Sequence, residues 1–375
     1  MEAGKLWSSI RFDHPPPYIK QLLMLKRSGS APLNISFASR RVPSGKLGVK
    51  STSTAIRALR PHVGRIRSFK VLYIKGKAAK LVCDEFHNFD MPLLQSVELE
   101  TSFDPPNFKI QHFGNSTRIA SLHISGSNRT RWQASLLRNL TTLTLGSRDS
   151  AYDWEISTID MLAALSSTPM LRCFTVYAYT TVFGEYWSLP QVKLEHLTQL
   201  FLLPPSPPWA DWIVHLLPSI VAPNLRHLPF PRSLPPSYLL PLNDAPIFPF
   251  PSLQSLEITN GTPPSEVLDT PSQYLSFISR MPNLKSVIIP RICTSDALFA
   301  DLSTKFPQLV YMEIETSMTE FKKIVDLMTQ RSLNPMLSNL ISVKIGVCDG
   351  PGSVQGTRTI LFASTVGNLD VRVEG

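Results

Sequence analysis

The chain has 375 residues, 43% of them hydrophobic and 17% charged, with 37 Lys/Arg against 28 Asp/Glu. That apolar content excludes a mostly disordered chain, and 33 prolines against 17 glycines argue against long uninterrupted helices. No apolar run reaches the ~20 residues that span a bilayer, because the best stretch, Leu197 to Val221, is interrupted by prolines and Asp211.

No membrane partner is therefore expected. The cysteines (Cys83, Cys173, Cys293, Cys348) are far apart in sequence, which suggests neither a disulfide framework nor a zinc motif and points to a reducing cytoplasmic or nuclear setting.

Residues 1–60 fit no repeat and read as an N-terminal cap. Charge is concentrated here and just beyond: residues 1–80 hold 17 Lys/Arg against only Glu2 and Asp13, whereas the rest of the chain is net acidic. Lys26, Arg27, Arg40 and Arg41 form the candidate basic patch. Its aromatic residues are not interleaved as stacking platforms, so a solvated cap face or a surface for an acidic protein is expected in preference to nucleic acid.

From residue 61 onward one pattern recurs: apolar, two variable residues, apolar, one variable residue, apolar. It runs from IRSFKV at Ile66 through LQSVEL at Leu94, IASLHI at Ile119, LTTLTL at Leu140, LRCFTV at Leu171 and LTQLFL at Leu197. It continues as LRHLPF at Leu225, LQSLEI at Leu253, LKSVII at Leu284, LVYMEI at Leu309, LISVKI at Leu340 and VGNLDV at Val366. The starts are spaced about 27 residues apart, inside the range of leucine-rich repeats.

The last four positions of each match alternate and predict a short strand. Segments such as ISTIDMLAALSSTP, PPWADWIVHLLPSI, SQYLSFISRMP, SDALFADLSTKFP and MTEFKKIVDLMTQ carry helical spacing. Proline in P-x-L form at Pro92, Pro169, Pro223, Pro251, Pro282 and Pro307 is expected to end those helices. A unit of this size cannot bury its apolar face alone, so neighbours must stack. The predicted fold is α/β: a leucine-rich-repeat solenoid over 61–375, with a curved parallel sheet and outer helices and loops.

Between Pro229 and Pro251 the pattern lapses into a proline-dense stretch, read as an extended loop over 229–251. Near the C-terminus Gly350-Pro351-Gly352-Ser353-Val354-Gln355-Gly356 resembles a phosphate-binding turn, followed by TRTILFAS as an expected helix. It lacks both the G-x-G-x-x-G spacing and a P-loop lysine, so it is read as a connector. The eight histidines match no zinc spacing, and no nucleophile elbow is present. No catalytic residue, metal or cofactor is assigned, and a non-enzymatic protein is expected.

In a solenoid the variable strand residues line the concave face. The candidate partner-binding residues are Glu98, Glu100, His123, Tyr177, Phe201, Glu257, Tyr311, Glu313 and Glu315. Their hydroxyl and carboxylate chemistry suits a polar or basic protein, with Tyr177, Phe201 and Tyr311 as the aromatic anchors.

Leu6-Trp7-Ser8-Ser9-Ile10 is followed by Tyr18 to Ser30, containing Arg27-Ser28-Gly29, and then by Pro32-Leu33. This order of L-W-S-x-I and R-S-G-x-x-P-L, with repeats introduced by P-x-L-x-x-L-x-L, resembles the fungal family of F-box proteins with leucine-rich-repeat-like tails. The resemblance implies a helix and a first strand around the second motif. It also implies a role as the substrate receptor of a Skp–cullin–F-box ubiquitin ligase, with a protein substrate on the concave face. The family's F-box lies upstream of L-W-S-x-I, where this sequence has only Met1 to Lys5. A Skp-type adaptor is therefore expected as a partner only if an F-box exists upstream. The alternatives are a free-standing repeat scaffold unrelated to ubiquitin and, less favoured, a nucleic-acid-associated protein acting through the basic N-terminus.

Overall fold

A computed structural model describes residues 3–13, 17–38, 49–74, 76–87, 89–101, 118–125, 137–146, 155–177, 179–181, 189–203, 211–230, 249–258, 280–289, 308–316, 342–347, 358–365 and 368–374. The architecture is α/β, dominated by parallel strands, in two compact units, Met1–Ser188 and Leu189–Gly375.

The first unit contains β1 (Ser9–Phe12), β2 (Leu33–Ala38), β3 (Ile66–Ile74), β4 (Ser96–Thr101), β5 (Ser121–Ser125), β6 (Thr142–Gly146), β7 (Glu155–Ser157), β8 (Cys173–Tyr177) and β9 (Tyr179–Thr181). Strands β1 to β6 and then β8 pair in chain order, each with its predecessor and always parallel. Strands β7 and β9 form a separate parallel pair. The ladder thus begins at Ser9, well before the first sequence repeat at Ile66. Helices α1 (Ile19–Arg27), α2 (Val49–Leu59) and α3 (Gly76–His87) connect the first strands, and the expected helix after Ile156 spans Thr158–Ser166.

The second unit contains β10 (Val192–Lys193), β11 (Gln199–Leu202), β12 (Ile220–Val221), β13 (His227–Phe230), β14 (Ser255–Ile258), β15 (Ser286–Ile289), β16 (Tyr311–Thr316), β17 (Ser342–Val347), β18 (Arg358–Thr365) and β19 (Asn368–Glu374), with a helix at Asp211–Ser219. Strands β11 and β13 to β17 pair parallel in order. The last two strands depart from expectation. TRTILFAS is strand β18 rather than a helix, and β18 and β19 pair antiparallel, so the match at Val366 is not a further parallel unit.

The reason is local chemistry. Thr365 pairs with Asn368, leaving the two-residue Val366-Gly367 spacing of a hairpin, and Leu369, Val371 and Val373 alternate with polar residues. The expected helices at SQYLSFISRMP, SDALFADLSTKFP and MTEFKKIVDLMTQ, the turn at 350–356 and the body of the proline-dense loop at 229–251 lie outside the described residues.

The apolar positions of the pattern are the core. Leu94, Val97 and Leu99 are buried, as are Leu140, Leu143 and Leu145, Leu171, Phe174 and Val176, and Leu197, Leu200 and Leu202. In seven matches a fourth buried position lies three residues before the first apolar residue, at Met91, Leu137, Thr168, Leu194, Ala222, Phe250 and Met281. Its carbonyl accepts the N–H of that residue, as in Met91–Leu94 (3.0 Å), Ala222–Leu225 (3.1 Å) and Met281–Leu284 (3.2 Å). Proline therefore occupies the second position of a tight turn at Pro92, Pro169, Pro223, Pro251 and Pro282, where its fixed φ suits the backbone. Setting this turn, rather than ending the helix, is its direct role. The third residue is asparagine at Asn139, Asn224 and Asn283, and in the last two its amide donates to the preceding turn: Asn224 to the Glu195 carbonyl (2.7 Å) and Asn283 to the Pro251 carbonyl (3.0 Å).

At the start of the first unit, aromatic packing replaces the leucine pattern. Phe12 stacks on Phe37 at 5.3 Å, Phe37 meets Phe69 at 6.0 Å, and Phe69 meets Phe86 of α3 at 4.4 Å. Gly29 (φ 54°) ends α1 in the left-handed region, and Arg65 donates to the Gly29 and Ala31 carbonyls and to Ser28 Oγ. The R-S-G-x-x-P-L string thus encodes a helix stop clamped by a cation.

Among the described residues no helix is long and apolar enough to cross a membrane. Gly146 ends β6 at φ 84°, and a Cβ there would run into the Tyr177 carbonyl. Gly146→Ala should lower the unfolding free energy by more than about 2 kcal/mol, read from the denaturant midpoint.

Candidate functional site

Parallel pairing brings the fifth residue of each match from β3 to β8 into one row, which β1 and β2 extend; the register shifts at Leu33/Asn34 and Leu72/Ile74 fall outside it. Arg11, Ser36, Lys70, Glu98, His123, Thr144 and Thr175 are successive register partners across β1 to β6 and β8. Behind them, one residue on, lies the apolar row Phe12, Phe37, Val71, Leu99, Ile124, Leu145 and Val176. Alternation therefore sends the polar row to the face opposite the core.

At the centre of the row three charged or chargeable side chains meet. The Lys70 ammonium pairs with Glu98 Oε2, and His123 Nδ1 lies 3.5 Å from Glu98 Oε1. On its other side His123 Nε2 is 2.8 Å from the Gly146 carbonyl oxygen, which has no proton to give, so Nε2–H donates. A neutral ring would then point its Nδ1 lone pair at the Glu98 carboxylate. Protonation replaces that repulsion with a donated hydrogen bond.

The titration directions agree. The His123 hydrogen bond and the Lys70 contact outweigh burial and hold Glu98 down to about 2. For His123 burial disfavours the cation, but the Glu98 and Gly146 hydrogen bonds and the charges of Glu98 and Glu100 raise its pKa above the ordinary 6.5. The cluster ties β3, β4, β5 and β6 together through side chains.

Other candidates fall differently. Glu100, expected to face solvent, is buried at 6% exposure, in register with the buried Ser125. Tyr177 is half-buried beside Gly146, its register partner, and so joins the His123 end of the row.

In the second unit Phe201 meets the His227 ring edge-on at 5.6 Å. Glu257 pairs in register with Pro229 and Ile288, and Tyr311 with Ser286 and Ser342. Glu313 and Glu315 lie on β16 opposite Lys344 and Gly346 of β17. Of the basic patch, Lys26 and Arg27 sit exposed on the last turn of α1, with Arg27 over the Trp7 ring at 4.8 Å, and Arg40 and Arg41 lie outside the described residues.

Lys70 enters the sequence reading only as one of the 17 cations of residues 1–80. The signal for its place was present: it is the fifth residue of IRSFKV, as Glu98 is of LQSVEL and His123 of IASLHI. Because Glu98 is engaged by Lys70 and His123, and Glu100 is buried, this face of the first unit presents hydroxyls more than carboxylates.

Among the described residues no three His, Cys, Asp or Glu side chains gather as a metal site. The half-buried Cys173 thiol is pushed up by burial, which disfavours the reactive thiolate at neutral pH. Comparison with protein-family models and with curated proteins gives no match to this chain.

The depressed Glu98 contributes stability above its ordinary 4.5 that is lost as pH falls towards 2, whereas the raised His123 contributes stability that is lost as pH rises past 6.5. Stability from the cluster should therefore be greatest between these limits. His123→Gln should cost about 1 kcal/mol near pH 5.5 and progressively less at alkaline pH, measured by chemical denaturation across pH.

Proposed function

We propose that the chain is a non-enzymatic protein-binding protein, built as an irregular leucine-rich-repeat solenoid, that holds a protein partner against the polar row of its sheet. By its resemblance at Leu6–Ile10 and Arg27–Leu33 it is the substrate-recognition part of an F-box-type receptor of a Skp–cullin–F-box ubiquitin ligase. The observation that carries the reading is the row Lys70, Glu98, His123, Thr144 and Thr175, one polar side chain from each successive strand in unbroken register.

Such a row repeats a hydrogen-bonding position at the 4.7–4.9 Å strand spacing, a surface suited to another folded or extended chain rather than to a small substrate. The internal cluster fixes the rotamers of Glu98 and His123, which reduces the entropy lost on binding. Repeat starts about 27 residues apart, with a tight turn before seven of the described strands, are the further support for the solenoid.

A photo-cross-linking amino acid placed at Thr142 or Thr144, both half-buried on the polar side of β6, in the full chain should capture one and the same partner protein. At Ile159, exposed on the helix Thr158–Ser166, it should not. Equal capture at all three positions, or capture only at Ile159, would exclude the row as the binding face. Co-purification of the full chain with a Skp-type adaptor supports the ligase role, and capture of a partner without the adaptor assigns a free-standing scaffold instead.

A further inference from the structure

Helix α1 is amphipathic the wrong way round. Its buried residues are Gln21 and Leu25, and the Gln21 amide donates to the Arg11 carbonyl at 3.0 Å. Ile19, Leu22 and Leu23 point outward instead, 70%, 48% and 44% exposed. Their i, i+3, i+4 spacing places them on adjoining positions of one helix surface. The short 3-10 helix Ala3–Trp7 packs against α1 and adds Leu6, also 70% exposed. A glutamine inside and three branched aliphatic residues outside is the reverse of a helix that serves only its own core.

The surroundings of this apolar strip are cationic. Lys20, Lys26 and Arg27 are exposed on the same helix, and none of the ion pairs described in the first unit uses them. Among the described residues before α1 the one acid, Asp13, is paired with Arg11 at 3.3 Å. Arg27 lies over Trp7, so its guanidinium is held by the ring with its donor fork available for a carboxylate.

We infer that the outer surface of α1 with Leu6 is a docking site for an acidic amphipathic helix of another protein. Aliphatic residues of the incoming helix cover Ile19, Leu22 and Leu23, and flanking Asp or Glu side chains pair with Lys20, Lys26 and Arg27. This surface is separate from the polar row and stands independently of the function proposed above. A protein helix fits better than a lipid surface because Lys26 projects from within the apolar arc, and because the strip is a single nine-residue helix.

The test uses the full chain and a fluorescently labelled amphipathic peptide with leucines on one face and glutamates on the other, followed by anisotropy. Saturable binding is expected, weakened by salt. Leu22→Ser combined with Leu23→Ser, or Lys20→Glu combined with Lys26→Glu, should each reduce affinity by about tenfold or more while the cooperative thermal transition is retained. All four residues are exposed, so these variants leave the core intact. Absence of saturable peptide binding, or equal affinity in the variants, overturns the assignment. So does preferential binding to phosphatidylserine vesicles, which would make the strip a membrane face. Dimerisation in sedimentation that the leucine variant abolishes would make it a contact between copies.

Discussion

Each repeat is joined to the next by a carbonyl that accepts twice. The oxygen of Gln95 takes the N–H groups of Ala120 (2.9 Å) and Ser121 (3.0 Å), that of Ala120 takes Thr141 and Thr142, and that of Thr141 takes Arg172 and Cys173. In the second unit Thr198, Arg226, Gln254 and Lys285 do the same for the strand that follows. The acceptor is always the second residue of the pattern, one step before the strand, so the register is set before the ladder proper begins. The tight turn just upstream aims the chain into this clasp. Polar row, apolar row and buried turn residue then follow as fixed offsets from one oxygen.

That arrangement explains how charges come to stand in line. A lone exposed ion pair contributes little, because two long side chains must be ordered against water and salt. Lys70, Glu98 and His123 are brought within reach by backbone pairing, so part of that ordering is already done when the sheet forms. The Gly146 carbonyl, presented by a glycine in the left-handed region, supplies the final acceptor and selects the protonated ring. The same geometry withdraws Glu98 from the surface chemistry that its sequence position suggests.

Much of this was legible in the sequence. Leu94, Val97 and Leu99 announce inward positions because burial acts on side chains, and side chains are what a pattern of residues records. The clasp was not legible, since its acceptor is a backbone oxygen and the side chain at that position ranges from alanine to arginine. Proline was visible at Pro223 and Pro282, but its part in a turn became clear only with the hydrogen bond that closes it. The buried turn residue escaped because Thr168 and Ala222 share no chemistry with Met91 or Phe250. Lys70 was read as one cation among many because charge counts discard register. Strand β18 was misread because Ile360, Leu361 and Phe362 follow a glycine-rich run that ordinarily opens a helix, while the hairpin signal lay downstream at Val366-Gly367.

The antiparallel pair that ends the ladder of the second unit bears on colloidal behaviour. A parallel sheet offers its outermost strand as a template on which another chain can add. Here the outermost strand is β19, in which Asp370, Arg372 and Glu374 occupy alternate positions with signs that change from one to the next. A second copy laid alongside in register would set each of these charges against its like. In-register extension from this edge is thereby disfavoured.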